Sequence, residues 1–336
     1  MVTNSSAPAP VFAASGRARI AGYLCALAAG ALWGTTGPLS TALYAEGTQL
    51  TSVGFWRVLL AVLGFAVYGL WRRDLFRLDR VGLLVVGLLG GGLVAIFEVA
   101  YQYAIAGVGV APAVALLYTA PVMVAVLARP LLGEVLTPLR IALGILVMVG
   151  VALAVAGGPE AHTGATLVGP AARVLGIAGG LLSAASYAGS TLMARWAVPR
   201  YGTLKVLFWE LAGGVVLLAV LLPLGGHPIA PPPSLSGWVF IAALGLGAVF
   251  LANVAFFAGV RRIDAAPAAV AASAEPVVGS LLAFFLFQQG LTPFGWLGLA
   301  LVVAGVAGGY RAEAEAGPAP AADQVPPAAA PSARGA

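Results

Sequence analysis

Four ionisable side chains interrupt long apolar runs of this sequence: Arg57, Glu98, Glu210 and Glu275. In the middle of a membrane, each such group costs about 2.5–3.5 kcal/mol or more unless it is paired or reaches water. Ionisable residues in that setting are functional candidates by default, because they mark substrate, ion or proton pathways. The alternative for each of them is a buried ion pair that only joins two helices.

Glu275 lies near the middle of the run AAVAASAEPVVGSLLAFFLF, and Pro276 follows it. Pro276 lacks an amide hydrogen and frees the carbonyl four residues earlier, that of Ala272, and backbone groups freed at mid-membrane commonly line ligand sites. No Lys or Arg is predicted at the same depth. We therefore predict that Glu275 faces a water-accessible cavity, where it accepts a proton or binds a cationic part of a substrate. The alternative is a neutral glutamic acid hydrogen-bonded inside the bundle.

The depths of Arg57 and Glu98 predict an ion pair between them. At a rise of 1.5 Å per residue, Arg57 lies about 10 Å and Glu98 about 9 Å from the same end of their predicted helices. Two roles are open for this pair. It is either a fixed strut between two helices or a substrate-facing or gating pair.

Glu210 and Asn253 form the corresponding polar pair in the second half of the chain, where the amide can donate to the carboxylate without neutralising it. The alternative, which we favour slightly, is that Glu210 reaches Arg195, Arg200 or Lys205 at the end of the bundle.

Polar side chains recur at helical spacing and predict the wall of a cavity. Any one Ser or Thr in a membrane helix more often bonds its own backbone or a neighbouring helix, so each is a weak signal alone. Besides Glu275, the candidates for substrate binding or coupling are Trp33, Thr36, Ser40, Tyr101, Gln102, Tyr118, Ser186, Tyr187 and Ser190.

Composition places the chain in the membrane. Of its 336 residues, 61% are hydrophobic and 9% are charged, and the mean hydropathy is +1.00; soluble chains carry about 25% charged residues.

The single Cys25 excludes a disulfide framework, the two His are in connections, and no metal site or cofactor is expected. We predict an all-α protein with ten transmembrane helices, at Ile20–Tyr44, Leu50–Trp71, Val81–Ala104, Gly109–Leu131, Pro138–Ala156, Val174–Ala197, Thr203–Leu222, Ser236–Gly259, Ala265–Phe287 and Pro293–Tyr310.

The two halves of the chain resemble each other and form an internal repeat. GVAPAVALLYTAPV aligns with DAAPAAVAASAEPV at an offset of 155 residues, which carries Pro112 to Pro267, Pro121 to Pro276 and the LTP at 136–138 to the LTP at 291–293. Five spans per copy is an odd number, so the second copy must cross in the opposite sense. We predict five-helix repeats at 20–157 and 174–310, with disordered tails at 1–19 and 311–336.

The charges agree with inversion. Equivalent loops switch charge between the copies, since WRRDLFRLDR corresponds to the uncharged PLGGHPIAPPPS and IAGVGV corresponds to GVRRID. Cytoplasmic loops hold the Lys and Arg. With both termini cytoplasmic, only Arg173 is predicted on the outer side. The net charge of +5 therefore reflects topology and does not indicate nucleic acid.

The sequence resembles the ten-helix drug/metabolite transporter superfamily built from two EamA-type repeats. The similar segments are LWGTTGP, GFWRVLLA, the end of the first repeat from YTAPVMV and the end of the second from AEPVVGS, over about residues 20–310. The resemblance implies movement of small metabolites or drugs across the bacterial inner membrane, commonly by export. One departure is that Gln289 stands where the family pattern has a Glu before the second LTP, whereas Glu134 fits in the first.

We expect a secondary transporter that works by alternating access, coupled to protons or to exchange, with a small-molecule substrate and the lipid bilayer as partners. An uncoupled facilitator is the alternative within this class. A membrane sensor or scaffold is the alternative outside it, and an intramembrane enzyme would need a catalytic constellation that the sequence does not show.

Overall fold

The structure, a computed structural model, describes residues 16–71, 73–132, 137–158, 167–263 and 265–316. These residues form ten helical spans, α1 to α10, and contain no β-strand. Seven spans are unbroken: α2 Leu50–Gly69, α3 Arg80–Val108, α5 Pro138–Ala156, α6 Pro170–Tyr201, α7 Thr203–Leu224, α8 Leu235–Val260 and α10 Pro293–Ala316. Three are broken: α1 into Gly16–Gly34 and Thr36–Ala45, α4 into Val110–Leu117 and Ala120–Leu132, and α9 into Ala265–Ala272 and Glu275–Phe287.

The predicted fold class and number of spans are confirmed. Eight spans are long and apolar enough to cross a membrane by themselves, and α5 and α10 contain the shorter apolar helices Ile141–Ala156 and Pro293–Gly309. The chain is thus an all-helical membrane protein with ten spans. Several ends differ from prediction: α6 is longer at both ends, and α10 continues through Ala316 rather than ending at Tyr310. Glu134, Leu136 and most of both tails lie outside the described residues.

The helix packing repeats between the two halves, as an inverted repeat requires. The contact of α3 with α6 has its counterpart in the contact of α8 with α1, because α3 corresponds to α8 and α6 to α1. The contact of α2 with α8 is matched in the same way by that of α7 with α3. The equivalent helices α5 and α10 pack against each other. The repeats therefore interlock across an approximate two-fold axis.

Glycines allow the closest of these approaches. A Cβ at Gly213 of α7 would lie 1.8 Å from the carbonyl oxygen of Gly87 in α3, and one at Gly245 of α8 would lie 2.5 Å from the carbonyl oxygen of Arg57 in α2. These two glycines lie in the α7–α3 and α2–α8 contacts, which correspond to each other in the repeat. Small residues at such crossings let helix backbones meet in a bilayer, where burial from water gives no driving force.

Two equivalent helices carry π-helical segments that the sequence pattern did not reveal. They lie at Leu83–Gly90 in α3 and at Ala243–Leu251 in α8. A π-helical turn bonds residue i to residue i+5, so it changes which face of the helix the following residues present. Glu98 and Asn253 both follow such a segment, which therefore helps to set their direction.

Basic side chains concentrate at one end of the bundle, which we call the basic face. Here α3 begins next to the end of α6, since Tyr201 donates a hydrogen bond of 2.8 Å to Asp79. Lys205 at the start of α7 lies 4.0 Å from Asp74 in the α2–α3 connection. Among the described residues, Arg173 is the basic side chain found at the opposite end, where it donates to the carbonyl of Val155. This asymmetry is the one expected from the sequence.

Candidate functional site

The broken helices α4 and α9 meet near the middle of the bundle. Their breaks lie at Tyr118–Thr119 and at Ser273–Ala274, related by the 155-residue offset of the repeat. In each case a proline, Pro121 or Pro276, is the second residue of the following half-helix. Proline is accommodated there because an amide in the first turn has no intrahelical partner. Proline at equivalent positions thus explains two symmetric interruptions.

The α9 break is held against α1 by close backbone contact. A Cβ at Gly30 would lie 2.3 Å from the carbonyl oxygen of Ala272, the last residue before the break. A Cβ at Gly34, one turn later, would lie 2.8 Å from the carbonyl oxygen of Glu275. The sequence predicted that Pro276 leaves the carbonyl of Ala272 without its helical hydrogen bond. In the structure this carbonyl packs against Gly30 of α1.

A cavity of about 300 Å³ lies beside these breaks and is lined by both repeats. Its volume is at the lower end of the range of small-molecule sites. Eleven of the fourteen residues singled out from the sequence line it: Trp33, Thr36, Arg57, Glu98, Tyr101, Tyr118, Tyr187, Ser190, Glu210, Asn253 and Glu275. The sequence thus located a cavity wall that eight of the ten spans build.

Ser40, Gln102 and Ser186 do not line the cavity. Ser40 and Gln102 are fully buried, and Gln102 accepts a hydrogen bond from the hydroxyl of Tyr44. The hydroxyl of Ser186 donates to the carbonyl of Leu182, one turn earlier in the same helix, at 2.9 Å. Gln102 and Ser186 thus bond a neighbouring helix or their own backbone, which is the ordinary use of polar residues in membrane helices. The buried hydroxyl of Ser40 has no hydrogen-bond partner among the described residues.

Arg57 and Glu98 form the ion pair expected from their depths. Arg57 Nε lies 2.9 Å from Glu98 Oε2, although the N–H bond is not aligned on that oxygen. Both residues are at most 5% exposed, and both line the cavity. Within the described part of the chain, Arg57 Nη1 has no hydrogen-bond partner. The charge of the guanidinium is therefore balanced by Glu98, while its Nη1 donates no hydrogen bond to the described residues.

Glu275 is the first residue of the second half of α9 and reaches across to the other broken helix. Tyr118 donates a hydrogen bond of 3.1 Å to Glu275 Oε2. Tyr118 is the first residue of the equivalent break in α4, so the carboxylate and its phenol partner each lie at one of the two symmetric interruptions. Glu275 is half-buried and lines the cavity.

Glu210 and Asn253 line the cavity but do not bond each other. Asn253 Nδ2 donates instead to the carbonyl of Val249, four residues earlier in α8, at 2.7 Å. The favoured alternative also fails here, because no basic side chain of the described residues lies within ion-pair distance of Glu210. Lys205 is beside Asp74, and Arg200 lies over the ring of Trp196. Among the three carboxylates of the site, Glu98 has an ion-pair partner and Glu275 has a hydrogen-bond donor, whereas no such partner among the described residues is found for Glu210.

Aromatic rings form much of the remaining wall. Trp33 lies 5.4 Å from Phe256 between ring centroids, and Phe97 lies 5.5 Å from Tyr101 in a stacked arrangement. Phe97 and Phe256 were not predicted, although each is within three residues of a predicted polar position, Glu98 or Asn253. Aromatic faces of this kind attract cations as well as apolar groups. In the described residues, no group of three or more His, Cys, Asp or Glu is placed to hold a metal ion.

The cavity is sealed on the side away from the basic face. Arg57, Glu98 and Tyr101 are buried there. Tyr101 belongs to a hydrophobic cluster that continues toward that end and includes Tyr44 and Ile105. On the side of the basic face the lining includes half-buried side chains such as Leu207 and Phe256. The cavity therefore extends from these buried residues toward the basic face.

Gln289 has a structural role where the sequence departed from the family pattern. Its Oε1 accepts a hydrogen bond of 3.1 Å from the amide of Val110, at the start of α4. Gln289 is 4% exposed and does not line the cavity. The side chain thus satisfies one of the unpaired amides at a helix N-terminus, a task that requires an acceptor but no charge.

Comparisons with known proteins agree with this architecture. An uncharacterized transporter of Archaeoglobus fulgidus is 30% identical over 79% of this chain and 88% of its own length. The uncharacterized transporter YwfM of Bacillus subtilis is 32% identical over 40% of this chain and 44% of its own length. One crystal structure has the same fold at 21% identity, with a TM-score of 0.60 over 88% of this chain and 98% of that chain.

The family assignment rests on both repeats. The sequence model of the EamA-like transporter family matches residues 20–156 and again residues 174–310, which are the two five-helix units seen in the structure. The chain therefore belongs to the EamA-like transporter family.

Proposed function

We propose that this protein is a secondary transporter that moves small organic molecules across the bacterial cytoplasmic membrane by alternating access. The observation that carries the proposal is the central cavity, which both repeats line beside two symmetric broken helices. Substrate sites of inverted-repeat transporters lie at the repeat interface near the midplane. A scaffold or a sensor has no need of such a cavity.

The distribution of charge supports an orientation in which the basic face is cytoplasmic, because Lys and Arg are retained on that side during insertion. Both chain termini are then cytoplasmic. A cavity that reaches toward the basic face and is sealed at the other end corresponds to an inward-facing state. The outward-facing state requires the cluster around Tyr44 and Ile105 to separate while the basic-face end closes.

Glu275 supports coupling of transport to protons. Its carboxylate faces the cavity and is held by Tyr118, so its protonation state affects a contact between the two repeats. A proton bound at Glu275 in one state and released in the other links the proton gradient to substrate movement, in the direction of export. An uncoupled facilitator has no such dependence on a pH gradient.

Site-directed cysteine labelling tests alternating access without knowledge of the substrate. In a Cys25→Ser background, we expect Leu207→Cys to react with a membrane-impermeant thiol reagent from the cytoplasmic side and Ile105→Cys only from the outside. The lipid-facing Val239→Cys serves as the unreactive control, since it is 59% exposed on the bundle surface. Reaction at Leu207→Cys and at Ile105→Cys from the same side would contradict alternating access.

Flux measurements test the coupling. Proteoliposomes with an imposed pH gradient are challenged with amino acids, sugars and organic cations, and flux is compared between the wild type and Glu275→Gln. We expect at least one compound to be carried and the pH-gradient dependence to be lost in the variant. If Glu275→Gln retained full dependence, Glu275 would not be the coupling site.

A further inference from the structure

The charges that line the cavity do not cancel. Three carboxylates, those of Glu98, Glu210 and Glu275, face one guanidinium, that of Arg57. Arg57 is committed to Glu98 at 2.9 Å. With all four groups ionised, these side chains carry a formal charge of −2, and among the described residues no other basic side chain lines the cavity. A site with low-dielectric walls favours a bound molecule that supplies the complementary charge.

The two uncompensated carboxylates lie on different helices and at different depths. Glu210 is seven residues from the basic-face end of α7 and Glu275 is ten residues from that end of α9, so they lie about 10 Å and about 15 Å deep. Glu275 has the phenol of Tyr118 as a donor, which orients the carboxylate without neutralising it. Among the described side chains, none donates a hydrogen bond or forms an ion pair to Glu210.

A buried hydroxyl at the cavity wall is a second observation that favours a ligand. Tyr101 is 2% exposed and lines the cavity, and within the described residues its hydroxyl has no hydrogen-bond partner. A buried polar group without a partner is costly unless a ligand or water satisfies it. A phenol oxygen can accept a hydrogen bond from an ammonium group. Trp33 and Phe256 add aromatic faces on which an alkylammonium is stabilised.

From these contacts we propose, resting on the transport function above, that the cavity binds a dication with two separated ammonium groups, one at Glu275 and the other at Glu210. The substrate class is an α,ω-diamine or a related small polyamine. Arg57 repels a third cation from Glu98, which limits the site to two. The cavity of about 300 Å³ equals the liquid volume of roughly ten waters, enough for a diamine with a short alkyl linker.

Binding to the purified full-length protein tests this proposal. The probes are diaminoalkanes of increasing chain length, n-alkylamines of matched length and the corresponding diols, each measured by calorimetry at one ionic strength. We expect the best diamine to bind at least about tenfold more tightly than its matched monoamine, equivalent to about 1.4 kcal/mol. Affinity should pass through an optimum with chain length, because two fixed carboxylates select one spacing.

Two variants assign the ammonium positions. Glu210→Gln and Glu275→Gln should each reduce the preference for diamine over monoamine to within about threefold, while monoamine binding persists at the remaining carboxylate. Glu46→Gln is the matched control, because Glu46 bonds Ser234 at the opposite end of the bundle and does not line the cavity. The comparison of diamine with monoamine on the wild-type protein needs no variant and therefore does not depend on variant folding.

Several results would overturn the proposal. Diamines that bind no better than monoamines, or an affinity that rises steadily with chain length as for a purely apolar site, would do so. Flux experiments separate this failure from failure of the proposed function. If proteoliposomes carry a neutral or anionic compound but no diamine, the transport function is supported and the dication site is contradicted. If no compound is carried and cysteine labelling does not alternate, both proposals are contradicted.

Discussion

The phenol of Tyr118 donates a hydrogen bond of 3.1 Å to the carboxylate of Glu275, and this contact joins the two broken helices. The residues are not equivalent by the repeat, since Ala120 corresponds to Glu275 and Ser273 to Tyr118. The symmetry of the backbone therefore supports an asymmetric site. One repeat provides the acid, and the other provides the group that positions it.

Replacing Tyr118 by Phe should reduce transport while the protein remains folded. The change removes a hydrogen bond to a charged acceptor, which is worth about 1.5–3 kcal/mol, and leaves the carboxylate free to adopt other orientations. We expect about a tenfold lower flux in proteoliposomes for any compound that the wild type carries. Tyr103→Phe in α3 is the matched control, because Tyr103 does not line the cavity. Equal flux for Tyr118→Phe and the wild type would show that this hydrogen bond has no part in transport.

Removing one partner of the Arg57–Glu98 pair should destabilise the protein more than removing both. Either Arg57→Leu or Glu98→Leu leaves an uncompensated buried charge, with an expected cost of about 3–5 kcal/mol, whereas replacing both by apolar residues is often near neutral. Thermal unfolding in detergent measures the difference. Single variants as stable as the wild type would contradict burial of the pair.

The double variant also separates the two roles left open for this pair. If Arg57 and Glu98 are only a strut, the stable Arg57→Leu/Glu98→Leu protein carries compounds at a rate near that of the wild type. If they contact the substrate or gate the cavity, flux is lost although the protein is folded. Both residues line the cavity, which favours the second result.

The sequence predicted which helices build the site better than it predicted which side chains face it. Tyr101 lines the cavity and its neighbour Gln102 does not, and the same holds for Tyr187 and Ser186. Periodicity identifies a polar stripe but not which edge of that stripe meets a neighbouring helix. Adjacent residues differ in direction by about 100°, so a small rotation of the helix decides the outcome.

The depth of a side chain along its helix was more predictable than the direction in which that side chain points. The Arg57–Glu98 contact followed from counting residues, because the rise of a helix is nearly constant. Orientation depends on the π-helical segments of α3 and α8 and on close crossings such as Gly213 with Gly87, which arise from packing between distant helices. Asn253 illustrates the limit, since its amide bonds its own helix rather than Glu210.

Replacing Gly30 by Ala should displace α1 from the break in α9. The added methyl group would lie 2.3 Å from the carbonyl oxygen of Ala272, a backbone atom that cannot move without shifting the half-helix. We expect a loss of about 1–3 kcal/mol of stability and reduced flux. Gly247→Ala is the matched control, because a Cβ there meets no atom within 4 Å. Equal unfolding temperatures for the two variants would contradict the close contact.

The contact between Tyr201 and Asp79 should make stability depend on pH at the basic face. The hydrogen bond donated by Tyr201, with a second from the amide of Gly82, holds the pKa of Asp79 below its usual value. A carboxyl group with a lowered pKa in the folded state contributes stability above about pH 3.9, its ordinary value. That contribution disappears as the pH falls through the lower value of the folded protein.

Tyr201→Phe removes the larger of the two causes, so the variant should unfold at a lower temperature than the wild type at pH 7. The two unfolding temperatures should converge as the pH falls below about 3.9 and through the lower pKa that Asp79 has in the folded wild type, because Asp79 then becomes protonated in both proteins. Tyr23→Phe in α1 controls for loss of a phenol at a surface position. A difference between wild type and Tyr201→Phe that stayed constant throughout this acid range would mean that the phenol acts through packing and not through the charge of Asp79.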